Sequence, residues 1–261
     1  MLTCVTGRTR RVSCYTLMTG TTHRGDQRTL ASMGKRRPPT ETAAVIDNML
    51  SRLRATGVTG LSQYERRLQA NAANVANLED LLFEGRAAIA LRTSQCSVHL
   101  RESPDIEVVL DNDVAYAEVK HFREKEQDRI DEAAMQDATD LLVKIGDTTL
   151  LEGVEPWQQI VNVAVRKASQ YVSGSPNVLV IESSSDSMEL MAGTAVKVLD
   201  DMIAQGGDSR FRRLNAIMLV NTAYRAIGPA GLKNVEFEPT AHPAVTMSER
   251  LSATFRSIRL A

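Results

Sequence analysis

The chain has three cysteines, Cys4, Cys14 and Cys96, and no Cys-x-x-Cys pair. An odd number without that spacing argues against a disulfide framework and a structural zinc site, and fits a reducing, cytoplasmic setting. Also missing is any run of about eighteen uncharged apolar residues. The most apolar stretches, NVLVI and LNAIMLV, have the length of buried strands, so no membrane span is expected. No continuous apolar segment follows the early arginines, which argues against a signal peptide. The single tryptophan, Trp157, opens a predicted helix, where a place in the core is expected rather than a base-stacking role. Walker A loop, dinucleotide glycine pattern, zinc-binding helix motif and internal repeat are all absent.

What is present is ordinary in bulk and uneven in charge. The 261 residues are 43% hydrophobic and 24% charged, enough for one principal domain with a sizeable core. Residues 1–40 hold Arg8, Arg10, Arg11, Arg24, Arg28, Lys35, Arg36 and Arg37 against Asp26 alone. Of 31 basic and 32 acidic residues, that leaves 23 and 31 for the body, an excess of eight negative charges. The body is therefore no generic polyanion binder, and nucleic-acid binding has to rest on a local patch or on a metal. Residues 1–40, rich in Thr, Ser, Gly and Arg and closed by GKRRPPT, read as a disordered basic segment. Three accounts of it stay open: an arm that grips phosphates, a targeting segment, or residues ahead of a true start at Met18 or Met33.

Residues 41–261 read as a single α/β domain with an N-terminal helical portion. ETAAVIDNMLSRLRATG predicts an amphipathic helix stopped by Gly57. Ser62 with Glu65 forms a capping-box pattern opening a second helical stretch, with Leu68, Val75, Leu78, Leu82 and Ile89 as its buried stripe. CSVHLRES, DIEVVLD and VAYAEVKHF, separated by Ser-Pro and Asp-Asn-Asp, predict three sequential antiparallel strands. Beyond them come a highly charged helix over 123–147, a helix from Pro156, the strand NVLVIESS, a helix over 187–207, the strand LNAIMLVN, an edge strand NVEFEPT and a terminal helix. The fold class is α/β, a mixed sheet flanked by helices.

One stretch carries chemistry, PDIEVVLDNDVAYAEVK. Side chains alternate along a strand, so Glu118 and Lys120 share one face and Val119 points into the core on the other. With the turn around Asp111 to Asp113, about six residues on each side bring Asp105 and Glu118 out roughly opposite one another. Two facing carboxylates repel by a few kcal/mol at about 4 Å, so a cation is expected between them. Magnesium suits the pair, because it takes oxygen ligands, keeps waters and is held by one or two carboxylates with substrate phosphate. Lys120 could then orient or deprotonate the attacking water and offset phosphoryl charge. The plainer reading of Glu118 and Lys120, solubilising charges on an exposed hairpin, conflicts with the apolar flanks of a central strand. His121 falls on the opposite face and is expected to pack or lie at the surface. SSSD at 183–186 reads as a helix N-cap.

SPDIEV followed by AYAEVK resembles the PD-(D/E)XK nuclease superfamily, the restriction-endonuclease-like fold, over Leu78 to Glu182. The resemblance implies a core order α-β-β-β-α-β and hydrolysis of DNA, less often RNA, dependent on magnesium with manganese as a substitute. It implies Asp105 and Glu118 as metal ligands and Lys120 as the catalytic lysine. A further acidic residue on the preceding helix is implied as Glu84, with Glu79 as second choice, because Glu84 is followed by Ala87, Ala88 and Ile89, small and apolar as in that family. On the helix after the motif, Lys167 and Gln170 are implied as supporting residues at i,i+3 spacing. DNA is the expected partner, and a homodimer is compatible with the fold. The alternative is a catalytically silent module of the same fold that binds nucleic acid or a protein partner.

Overall fold

A computed structural model describes residues 39–93, 96–122, 156–183, 191–221 and 235–258, all within the unit Arg37–Ala261. The basic segment up to residue 38, the charged helix expected over 123–147 and the Ser-Ser-Asp of 184–186 lie outside the described residues.

The first helix, α1 (Pro39–Thr56), buries Ile46, Met49, Leu50 and Leu53 along one stripe. Its end follows from Gly57, which takes φ 77°, the left-handed region open to glycine. The Gly57 N–H donates to Arg54 O at 3.1 Å and the Val58 N–H to Leu53 O at 3.1 Å. This is a Schellman end, and Val58 and Leu53 are both buried beneath it.

The next helical stretch is two helices, α2 (Leu61–Ala70) and α3 (Val75–Thr93). The expected Ser62 capping box is absent: Gly60, at φ 80° and without a side-chain cap, precedes α2. A Cβ at Gly60 would lie 2.1 Å from the Leu100 carbonyl oxygen, so the loop's close approach to the sheet, not the Ser62 hydroxyl, fixes the helix start. Glu65 pairs with Arg54 at 3.3 Å instead. The break between α2 and α3 comes at Asn71–Asn74, where Asn74 Oδ1 accepts the Asn77 N–H at 3.2 Å. Of the expected stripe, Leu68, Leu78 and Leu82 are buried, while Val75 and Ile89 are half-buried. Helix α3 packs against both α1 and the sheet, so Leu81, Phe83, Ala87, Ala88 and Leu91 are buried too, and no single stripe describes it.

Six strands, β1 (Ser97–Leu100), β2 (Ile106–Leu110), β3 (Asp113–Phe122), β4 (Asn177–Ser183), β5 (Leu214–Asn221) and β6 (Val235–Pro239), form one sheet in chain order. β1, β2 and β3 are antiparallel neighbours, β3, β4 and β5 are parallel, and β6 closes the edge antiparallel to β5. Among the described residues, three further α-helices follow the meander: α4 (Pro156–Lys167), α5 (Met191–Ala204) and α6 (Glu249–Ser257). The protein is thus α/β with a mixed sheet flanked by helices. One core lies between the sheet and α1 to α3 and includes Ala117, Val119 and Val180. The other includes Ile160 and Val163 of α4, Leu199 of α5, and Leu179 and Ile181 of β4. Every residue of β4 is buried, as its unbroken apolar run requires for a strand covered on both faces. Among the described residues no helix is long and apolar enough to cross a membrane.

One irregularity of the sheet positions the site. β3 pairs with β2 only as far as Ala117, opposite Ile106, and pairs with β4 from Tyr116 to Phe122. The two strands of the hairpin therefore part at Glu118, and the outer edge of β3 opens toward the loop that carries Asp105.

Candidate functional site

Asp105 and Glu118 stand at this fork. The ladder ends at the pair Ile106 and Ala117, so the next positions in the same register are Asp105 and Glu118. Asp105 follows a cis Ser103–Pro104 peptide, and its carbonyl accepts the Arg101 N–H at 2.8 Å. Its carboxylate takes the place a β2 carbonyl would have had, since Oδ2 accepts the Val119 N–H at 2.8 Å. Burial is nearly complete, 6% exposure for Asp105 and 2% for Glu118.

Cations reach the carboxylates from two helices. At the end of α4, Lys167 Nζ lies 2.8 Å from Glu118 Oε2. From α2, Arg67 Nη2 lies 2.8 Å from Oε1 of Glu84, which α3 carries and which is also buried. Burial drives the Glu84 carboxyl up to about 8, helped by the charge of Asp105 and opposed by Arg67. Burial and then Asp105 likewise push Glu118 up to about 7 against the pull of Lys167. Burial alone would lower the Lys167 ammonium, but Glu118, Asp105 and Glu84 outweigh it and the group is raised. Glu84, Asp105, Glu118 and Lys167 thus share one electrostatic site. Of the two acidic candidates on α3, Glu84 is the one in the field of Asp105; Glu79 lies five residues earlier and is half-buried. Gln170, in the turn after α4, is half-buried and its Oε1 is buried without a donor.

The expected pairing of Glu118 with Lys120 is divided in the structure. Glu118 takes its cation from α4, while Lys120 Nζ reaches Asp80 Oδ2 on α3 at 3.1 Å. Asp80 stands four residues before Glu84, on the same face of α3. It also lies 3.6 Å from His121 Nδ1, whose other nitrogen is 3.8 Å from Glu182 Oε2 on β4. Arg86 Nη2 closes this chain on Glu182 at 2.5 Å. His121 does pack on the face away from Glu118, with its ring centroid 6.4 Å from that of Phe83. Asp80, Arg67, Arg86 and Glu182 were not singled out in the sequence. Only Asp80 carried a usable signal, its one-turn spacing from Glu84.

Whether a divalent cation suits this site can be judged from the oxygens. Glu84 Oε2 and Glu118 Oε1 are buried and no N–H or hydroxyl donor reaches them, although the other oxygen of each holds a cation and the Glu118 carboxyl lies within hydrogen-bond reach of Asp105. Burying such acceptors without a donor is costly, and a hard cation is the natural partner for carboxylate oxygens. Among the described residues no group of three or more His, Cys, Asp or Glu converges as a finished metal cage. The fit is to an ion that one or two carboxylates hold and that keeps most of its waters, the habit of magnesium. Comparison of the chain with family models, curated proteins and solved structures finds no match.

Proposed function

We propose that this chain is a magnesium-dependent nuclease that hydrolyses DNA phosphodiester bonds from a restriction-endonuclease-like core. The observation that carries the reading is the meeting of Asp105 and Glu118 at the fork between β2 and β3, with a buried, donorless carboxylate oxygen on Glu118 and another on Glu84. Among the described residues, the order α3, β1, β2, β3, α4, β4 supports it, since it is the α-β-β-β-α-β order of that core.

Asp105 and Glu118 are the residues that would hold magnesium, or manganese in its place. An ion held there would supply Lewis-acid stabilisation of the charge that develops on the phosphate oxygens. The protein's own groups do the rest. Glu84, paired with Arg67, turns its second, donorless oxygen into the same buried site and becomes a further oxygen ligand where a bound cation favours its ionised form. Lys120, anchored by Asp80 at the open edge of β3, presents an ammonium that orients the attacking water and offsets charge on the phosphoryl oxygens. Because the body has an excess of negative charge, DNA binding depends on the ion.

One observation favours the second reading, a silent module of the same fold: Lys167 and Arg67 already neutralise two of the three carboxylates. A mobility-shift assay at low salt, with calcium in place of magnesium, separates the two. Calcium-dependent retardation of DNA without cleavage, lost in Asp105→Ala, is expected. Retardation that ignores calcium and survives Asp105→Ala would transfer the conclusion to the silent module.

A further inference from the structure

The two lysines of the site are not equivalent. Lys120 is held at the edge by Asp80, whereas Lys167 sits directly on Glu118, a carboxylate with 1% of its side chain exposed. Asp105 Oδ2 is engaged with the Val119 N–H and Glu118 Oε2 with the ammonium, so each carboxylate at the fork already has a donor on one oxygen. A cation placed against Glu118 would meet the Lys167 ammonium a hydrogen-bond length from the same group, and two positive charges on one carboxylate repel. Lys167 has somewhere to go. Its side chain is 25% exposed, it belongs to the last turn of α4, and a four-carbon stem lets the ammonium swing toward water without moving the helix.

We infer that Lys167 is a built-in counter-ion of Glu118, so that a divalent ion binds by displacing its ammonium from that carboxylate. This rests on the metal-dependent reading above. The ion-pair bond then makes loading an exchange, which weakens apparent metal affinity, and it releases Lys167 at the moment the ion arrives. A positive charge set free beside the fork is placed to meet an anionic phosphodiester, so loading with metal and gripping the backbone become one event.

Binding can be read without any substrate by titrating the full chain with Mn2+ and following free Mn2+ by electron paramagnetic resonance. Removing a charge-assisted bond that competes with the ion is expected to tighten Mn2+ binding in Lys167→Met by about tenfold or more. Equal or weaker binding in the variant, with clear binding in the wild type, overturns the exchange and leaves the metal reading standing. No binding by either protein overturns both. Because Lys167→Met leaves Glu118 without its cation and could unfold, the wild type supplies an independent measurement. Its Lys167 acylation rate, followed by mass spectrometry with exposed Lys197 as internal reference, should rise on saturation with Ca2+. A rate that Ca2+ leaves unchanged counts against displacement as decisively as equal Mn2+ affinity.

Discussion

Glu118→Ala and Lys120→Ala, assayed on supercoiled plasmid in magnesium or manganese, each lose about a thousandfold or more of the wild-type cleavage rate, the scale on which a positioned proton donor or a charge-stabilising group acts. The two losses have different origins. Glu118→Ala removes a buried ligand at the fork and strands the Lys167 ammonium, so its activity does not return at higher metal concentration. Lys120→Ala leaves both ligands in place and breaks only the contact with Asp80. That variant should still bind the ion and the DNA while failing in the chemical step. Linear duplex, single-stranded and branched DNA assayed beside the plasmid define the preferred substrate. Cleavage that persists unchanged in both variants would mean that the activity belongs to another site or to a contaminant.

Metal-free stability is expected to fall steeply as pH rises from about 5 to 8, the reverse of the usual behaviour of paired surface carboxylates. Glu84 and Glu118 have their folded-state values raised from 4.5 to about 8 and about 7, first by burial and then by the charge of Asp105. The folded chain therefore binds more protons than the unfolded chain through this interval. Its extra stability is fully present below pH 4.5 and is lost as pH passes through about 7 for Glu118 and about 8 for Glu84. Each pH unit of separation is worth about 1.4 kcal/mol per group, and the two carboxyls titrate as a linked set around Asp105. A loss of about 3 kcal/mol or more across the window is the expected scale. Urea midpoints at constant ionic strength with a chelator present measure it. Glu84→Gln should flatten the upper part of the curve, because an amide has no proton to surrender. Stability that climbs with pH over the same range would show that these carboxyls are solvated and ionised in the folded protein.

The register of the hairpin was legible in the sequence because it depends on local counting, whereas its parting at Glu118 was not. A turn around Asp111 to Asp113 brings Asp105 roughly opposite Glu118, and the sheet narrows it to Asp111–Asn112, with the ladder running from Leu110 and Asp113 to Ile106 and Ala117. The all-apolar run of β4 and the glycine stop of α1 were local in the same way. Missing from the sequence were the partners that tertiary packing supplies. Which lysine meets Glu118 is settled by where α4 ends relative to β3, a separation of 49 positions that no spacing rule spans. Arg67 reaches Glu84 only because the chain breaks at Asn71–Asn74 and lets α2 fold beside α3, whereas the apolar stripe alone predicts one continuous helix. The Ser62 capping box failed for a related reason. A close approach between Gly60 and Leu100, distant in sequence, overrode a local motif worth about 1 kcal/mol.

Scanning calorimetry of the wild type and of Glu118→Gln, each with and without magnesium, manganese and calcium, tests most directly whether the fork holds a divalent ion. An ion that binds only the folded chain adds about 2.7 kcal/mol at a hundredfold excess over its dissociation constant. For a domain of this size the wild-type Tm should rise by about 5 °C or more. At pH 8 the metal-free Glu118→Gln variant should be about as stable as the wild type, because the amide no longer has to ionise in a buried site beside Asp105, yet its Tm should hardly respond to any of the three ions. A wild-type Tm indifferent to all three up to about 10 mM, a range that reaches the weak calcium sites, would contradict the metal centre and leave a fork neutralised by Lys167 and Arg67 alone.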